Sequence, residues 1–395
     1  MLKDKTIVIG VTGGIAAYKS VEVVSRLKKL GANVHVIMTE AATKFVQPLT
    51  FRSLSHNPVI VDMFAELQSW DVEHISLAEK ADMFLVVPAT ANLIGKVANG
   101  IADDMLTTTI MATTAKVIFS PAMNVNMYQN SIVQKNIVRL KEEGYRFIEP
   151  DKGYLACGTE GKGRLPAPEE IVTSAIAYLL SSFDLVGKKV LVTAGGTQED
   201  LDPVRYLGNR SSGKMGYALA KVAKARGAEV TLISAPTKLN KPSGVNIINV
   251  RTAAEMCQQV FKYQAEQDII IMAAAVADYT PQSIAKNKIK KSNNLTLELK
   301  RTTDILAELG NSNGEQILVG FAAESDNLIE NAQQKLKRKV VDFIVANNIR
   351  AEDTGFASDF NQVVIISKDD QIEVAKATKL EIADRIFSEV VKILD

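Results

Sequence analysis

The side chains able to do chemistry gather in short glycine-rich or small-residue runs, most of which follow a β-branched stretch. Gly13 and Gly14 close the run Thr6–Thr12 and open a helix-patterned segment, so backbone N–H groups at the turn can meet a phosphate with no side chain in the way. Pro88–Leu93, after Ala81–Val87, offers small residues, the Thr90 hydroxyl and the Asn92 amide, a set that suits a planar polar ring or a phosphate. Pro121–Tyr128 carries the amides of Asn124 and Asn126 and the thioethers of Met123 and Met127; either amide can hold a carboxylate. Cys157 sits among four glycines in Gly153–Arg164, a setting for an exposed, reactive thiol on a flap, and His74 stands alone ahead of a helix pattern. Each run also has an ordinary explanation: a tight βα turn, a helix capped by Thr90, an asparagine turn, a solvated histidine.

The C-terminal half has its own set. Gly195 and Gly196 follow Lys188–Thr193, and Gly208–Met215 comes close to a P-loop. Met215 stands where the magnesium-binding hydroxyl belongs, and no strand directly precedes the loop, which argues against a Walker-type ATPase. Asn209, Ser211 and Ser212 still suit an anion-binding loop or a plain helix cap. Met272–Tyr279 ends a strand in tiny residues plus Asp278, allowing close approach of a base or ribose, with a carboxylate for a hydroxyl or Mg²⁺. Four lysines in Lys286–Lys291 are either a solvated loop or a triphosphate clamp, and Lys335 and Lys339 share one helix face.

These runs need a scaffold that brings strand ends together. Strand patterns at Thr6–Thr12, Ala32–Met38, Ala81–Val87 and Lys116–Ser120 alternate with helix patterns at Ile15–Leu30 and in a segment ending before Pro48, which predicts a parallel sheet covered on both faces. Lys188–Gly196, Gly227–Ser234 and Gln267–Ala274 echo Thr6–Gly14, Gly31–Met38 and Lys80–Val87. The fold class expected is therefore α/β: two successive three-layer, Rossmann-like domains, each with a mostly parallel sheet and helices on both faces. The boundary expected puts the first domain at 1–185 and the second at 186–395. Ligands of such sheets bind at the carboxyl ends of the strands, so the loops after Thr12, Val87, Phe119, Thr193 and Ala274 matter most.

Composition narrows the partners. With 46 Lys+Arg against 45 Asp+Glu there is no basic footprint for a nucleic acid, and two cysteines a hundred positions apart exclude a disulfide scaffold. The apolar run Thr6–Gly10 is too short for a membrane span, so a cytoplasmic protein without a membrane partner is expected.

In combination the N-terminal motifs resemble the homo-oligomeric flavin-containing Cys decarboxylases. The matches are Gly13–Lys19, Pro88–Asn92, Pro121–Met127, the Glu73-His74-Ile75 histidine and the Ala156-Cys157-Gly158 flap. Related sequences often have Ser where Gly14 stands. The C-terminal motifs resemble the phosphopantothenate–cysteine ligase part of bacterial bifunctional phosphopantothenoylcysteine decarboxylase/phosphopantothenate–cysteine ligases. Those matches are Gly195–Glu199, Asp202–Arg205, Asn209–Gly216, Ala274–Asp278, Lys288–Lys291, Gly320–Glu324 and Val345–Asn348, with Thr303 where the family usually has Pro.

The resemblance implies FMN held by Gly13, Gly14, Ile15, Thr39, Ala89, Thr90 and Asn92, with Cys157 as proton donor, His74 as base or orienter and Asn124 as carboxylate ligand. It implies CTP, with Mg²⁺, contacted by Ala273, Ala274, Ala275, Asp278, Lys288, Thr303, Asp304, Ile305, Leu306, Phe321, Lys335 and Lys339, and an acyl-cytidylate handled by Asn209. The implied partners are 4′-phosphopantothenate and L-cysteine. The implied assembly is a homo-oligomer, with trimers of the first half and dimers of the second closing a dodecamer. A nicotinamide-dependent reductase and a non-enzymatic flavoprotein regulatory subunit are the alternatives. The missing Gly-x-Gly-x-x-Gly argues against the former and the presence of Cys157 against the latter.

Overall fold

The computed structural model describes residues 2–64, 73–154, 158, 160–291, 295–312, 314–324, 327–348 and 358–394. Cys157 lies outside the described residues. The chain divides into two compact units, residues 1–179 and 180–395.

In the first unit, β1 (Thr6–Val11), β2 (Asn33–Met38), β3 (Val59–Ile60), β4 (Met83–Ala89), β5 (Lys116–Pro121) and β6 (Arg146–Phe147) form one sheet of order β3-β2-β1-β4-β5-β6. Every pairing in it is parallel. Central strands read as unbroken apolar runs because both faces are covered: Ile7, Val8, Ile9 and Met83 through Val87 are fully buried. The helix Ala17–Lys29 buries Val23, Val24 and Leu27 along one stripe and ends in Arg26, Lys28 and Lys29, where the dipole favours cations. The helix expected before Pro48 is the single turn Glu40–Thr43; Pro48 itself opens a further helix, Pro48–Ser55, at the one position where a missing N–H is harmless. Near the unit's end β7 (Asp151–Tyr154) and β8 (Glu160–Arg164) pair as an antiparallel arm.

The second unit winds the same way and then continues. Its strands are β9 (Lys189–Ala194), β10 (Gln198–Asp200), β11 (Tyr206–Gly208), β12 (Glu229–Ser234), β13 (Asn246–Asn249), β14 (Ile269–Met272), β15 (Tyr279–Pro281), β16 (Leu299–Arg301), β17 (Ile317–Glu324), β18 (Phe343–Asn348), β19 (Phe360–Ser367) and β20 (Gln371–Thr378). The large sheet runs β13-β12-β9-β14-β17-β18-β19-β20, parallel through β18 and antiparallel for the last two strands; β10–β11 and β15–β16 are small antiparallel pairs.

One device recurs in both units. Asp82 accepts the Thr6 amide at 2.7 Å, and Asp268 accepts the Lys189 amide at 2.7 Å, so the aspartate ahead of each fourth sheet strand caps the start of the first. Asp342 does the same for Leu318 at 2.7 Å. In the second unit Arg226, 2% exposed, forks onto Asp184 at 2.6 and 2.8 Å and reaches Asp384 at 3.1 Å. It thereby ties the unit's first residues to its C-terminal helix Lys379–Val390.

Candidate functional site

Among the described residues, a large cavity lies at the carboxyl ends of the strands in each unit, where the strand order reverses beside β1 and β9. The first has a volume of about 1230 Å³ and is lined by Gly13, Gly14, Ile15, Thr39, Thr90 and Asn92 together with Asn124. Gly13 is there for steric reasons: a Cβ on it would come within 2.5 Å of the Ala41 Cβ. The Thr12 hydroxyl donates to the Pro88 carbonyl at 2.6 Å and accepts the Thr90 amide at 3.2 Å, locking the glycine turn to the β4 loop. Thr39 and Thr90 then cap the helices Glu40–Thr43 and Ala91–Ala98 by accepting from Ala42 and Leu93. Backbone donors, two hydroxyls and an amide thus converge on one wall, a donor set that suits a phosphate and a flat polar ring. Asn124 caps the helix Val125–Gln129 by accepting from the Asn126 amide at 2.8 Å, which leaves Asn126 out of the cavity lining.

Two expected contacts do not reach this cavity. Ala89 is fully buried in β4, with its carbonyl taken by the Ala122 amide at 3.1 Å. His74 stands in the first turn of the helix Glu73–Lys80, outside the lining; its sequence position near a strand does not decide which way that helix turns it. The cavity adds residues that the sequence did not single out. Lys19, in the first turn of the helix Ala17–Lys29, donates to the Leu165 carbonyl at 2.9 Å. Burial lowers its ammonium, with Arg164 adding to the effect and Asp151 opposing it. Arg164 and Tyr154 line the cavity from the β7–β8 arm. That arm is seated by Glu149, which takes Lys162 at 2.8 Å, Tyr128 at 2.7 Å and Lys141 at 2.9 Å. Burial pushes the Glu149 carboxyl up, but those three partners outweigh it and bring it down to about 2.

The second cavity, about 940 Å³, gathers Asn209, Ala273, Ala274, Ala275, Asp278, Thr303, Asp304, Ile305, Leu306, Phe321, Lys335 and Lys339. Its glycine turn works differently. Gly195 and Gly196 do not line it; a Cβ on Gly196 would meet the Asn209 carbonyl at 3.0 Å, because the loop Asn209–Gly213 lies across the turn. The Asn209 amide donates to the Ala275 and Val276 carbonyls at 3.3 and 3.4 Å, joining that loop to the small-residue wall. Lys335 donates to the Phe321 carbonyl at 2.9 Å, and Lys339 bonds the Asp304 carboxylate. Burial lowers the Lys339 ammonium while Asp278 opposes the shift.

Lys288 is exposed and outside the lining. Its neighbour Ile289 is pinned away from the cavity: Asp202 accepts the Ile289 amide at 3.0 Å and Arg205 donates to the Ile289 carbonyl at 2.6 Å. The Arg205 guanidinium and the amides around it hold the Asp202 carboxyl well below the usual range. Lys214, Asn347, Asn361 and Lys379 line the cavity as well. Lys214 and Asn347 fall inside motifs already noted; nothing in the sequence marks Asn361 or Lys379, which come from β19 and the C-terminal helix.

Residues 1–180 match the flavoprotein family, and residues 185–394 match the DNA/pantothenate metabolism flavoprotein C-terminal domain. The chain is 50% identical over 395 residues to the coenzyme A biosynthesis bifunctional protein CoaBC of Bacillus subtilis, covering 99% of this chain and 97% of that one. It is 47% identical over 398 residues to the protein of the same name from Borreliella burgdorferi, covering 100% of both. A crystal structure of the C-terminal domain of a coenzyme A biosynthesis bifunctional protein CoaBC is 42% identical, with 54% of this chain and 98% of that chain covered and a TM-score of 0.47. With identity of this order along its whole length, and a flavoprotein module followed by a pantothenate-metabolism module, the chain belongs to the family of coenzyme A biosynthesis bifunctional proteins.

Proposed function

We propose that the two cavities carry out consecutive steps: CTP-dependent joining of 4′-phosphopantothenate to L-cysteine in residues 186–395, then FMN-dependent decarboxylation of the product to 4′-phosphopantetheine in residues 1–185. The observation that carries this reading is a large cavity in each unit, each lined by residues of a different motif set.

In the second cavity the substrate carboxylate attacks the α-phosphorus of CTP. A C–O–P linkage forms and pyrophosphate leaves; the cysteine amine then attacks the acyl carbon and CMP leaves. Ala273–Ala275 let the nucleotide approach the strand end closely, and Asp278 accepts a hydroxyl or faces the Mg²⁺ that accompanies the triphosphate. Lys335 and Lys339 exchange their carbonyl and carboxylate partners for phosphate oxygens, neutralising charge that builds on the leaving pyrophosphate. Lys288, which is not in the lining, is the further lysine assigned to the triphosphate. Asn209, already bonded to the small-residue wall, holds the acyl-cytidylate.

In the first cavity Gly13, Gly14, Ile15, Thr39, Thr90 and Asn92 hold FMN, which supplies the electron sink that loss of carbon dioxide from an N-acyl cysteine requires. Asn124 positions the substrate carboxylate, Cys157 returns a proton, and His74, which is not in the cavity lining, serves as base or orienter. The protein works as a homo-oligomer in the cytoplasm. Among the described residues no helix is long and apolar enough to cross a membrane.

The test is a flavin-loaded sample given phosphopantothenate, cysteine, CTP and Mg²⁺, with pyrophosphate and carbon dioxide measured. Both products are expected; a folded, yellow sample that makes neither overturns the proposal. A colourless protein that oxidises a nicotinamide would favour the reductase alternative.

A further inference from the structure

We propose that Lys214, Asn347, Asn361 and Lys379 form a phosphate-binding subsite of the second cavity, which takes an oxyanion of one of the two phosphorylated substrates. The inference rests on the ligation reading and adds to it a wall distinct from Lys335 and Lys339.

Local sequence preference runs against these lysines. Lys214 is the first residue of the helix Lys214–Ala225, and Lys379 is the first residue of Lys379–Val390, after the Thr378 cap. A helix N-terminus carries the positive end of the dipole, so a cation there is locally unfavourable. Breaches of local preference collect at functional sites, where a ligand supplies the missing compensation. Here two such breaches face one cavity.

The two side chains also meet. Lys379 is only 6% exposed; its ammonium donates to the Ser358 carbonyl at 2.5 Å and its backbone amide to the Asp359 carbonyl at 3.1 Å. The Lys214 ammonium pairs with the Asp359 carboxylate at 2.6 Å. Burial brings Lys379 down to about 8, Lys214 adds to the shift and Asp359 opposes it, and an arriving oxyanion would favour the charged form.

Two buried amides complete the wall. Asn347 on β18 and Asn361 on β19 are 8% and 5% exposed and line the same cavity. The Asn361 side-chain Oδ1 accepts from the Gln362 backbone amide at 3.0 Å, beside a register shift in the β19–β20 pairing, the kind of irregularity that re-aims a side chain. Neither amide nitrogen donates a hydrogen bond among the described residues. Both amides line the cavity, where a phosphate oxygen can accept from them. Two ammoniums and two amide groups on one wall of the cavity, with Asp278 and Asp304 also in its lining, suit a phosphoryl group better than a neutral ring.

The oxyanion comes either from the CTP triphosphate or from the phosphate ester of phosphopantothenate. Calorimetric titration of the full chain with CTP, cytidine, phosphopantothenate and pantothenate separates the sources. Lys379→Gln is expected to weaken one phosphorylated ligand roughly ten- to a hundredfold while its phosphate-free counterpart is unaffected, with Lys379→Arg restoring most of the loss. Thermal unfolding checks each variant. Should Lys379→Gln fail to fold, Lys214→Gln and Asn361→Ser carry the same expectation. Unchanged affinity for both phosphorylated ligands in folded variants, or equal weakening with and without the phosphate, overturns the subsite. If the wild type binds no CTP and makes no pyrophosphate, the ligation reading fails instead. The subsite then stands or falls on whether Lys379→Gln weakens binding of inorganic pyrophosphate.

Discussion

The two units wind their first six sheet strands in one order, yet they build their sites from different parts of it. In the first, the glycine turn after β1 is itself cavity wall, and Thr12 braces it against the β4 loop. In the second, the insertion β10–β11 separates β9 from its helix, the loop Asn209–Gly213 folds back over Gly195 and Gly196, and the anion-facing role passes to that loop and the helix behind it. Two further antiparallel strands then deliver Asn361 and Lys379 to the same cavity. A shared scaffold therefore dictates where a ligand sits, and the insertions dictate which side chains meet it.

The comparison can be broken by destabilising one unit and watching the other. Arg226→Met leaves Asp184 and Asp384 without their shared cation and should cost the second unit about 3–5 kcal/mol. Its unfolding transition should drop while flavin release from the first stays put; a joint shift of both would show that the units do not melt independently. Glu149→Gln is the counterpart in the first unit. Its folded carboxyl lies at about 2 against an unfolded 4.5, so its stabilisation is complete above 4.5 and lost as pH falls toward 2. That contribution is at most on the order of 3 kcal/mol, and the variant should flatten the acid limb of the first unit's stability curve. An unchanged limb would assign the network no energetic role.

Gly13→Ala and Gly196→Ala sharpen the contrast between the two turns. The first drives a methyl into Ala41 on the cavity wall and should weaken flavin retention roughly tenfold or more, read by absorbance after dialysis. The second pushes on the Asn209 loop from behind, so CTP affinity should fall only about threefold, through displacement rather than lost contact. Equal effects from the two substitutions would contradict the different placement of the turns.

Much of the scaffold was legible from residue patterns. The apolar runs Ile7–Val11 and Met83–Val87 could only be strands covered on both faces, and the threefold echo between the halves predicts the repeated sheet. Cavity-lining residues were legible where they lie within a few positions of a strand end, as with Gly13, Thr90, Asn209 and Ala273. Whether a residue lines a cavity was not legible where a neighbour's position decides orientation: Ala89 turns its carbonyl to Ala122, and the backbone beside Lys288 is held by Asp202 and Arg205, so neither is in a lining. Lys19 lay inside the quoted Gly13–Lys19 motif, yet its place in the wall became visible only beside Arg164, well over a hundred residues later.

What the sequence determined by itself is local: strand runs, glycine turns, helix starts and the two motif sets, since period, backbone freedom and capping depend on residues a few positions apart. Only the tertiary structure decided which distant groups share a wall. Strand order places Lys379 beside Lys214 through Asp359, and Arg226 beside residues near both ends of its unit. Such meetings depend on chain crossovers and on the burial that makes an ammonium or an amide seek a partner, and neither is written in any short stretch of residues.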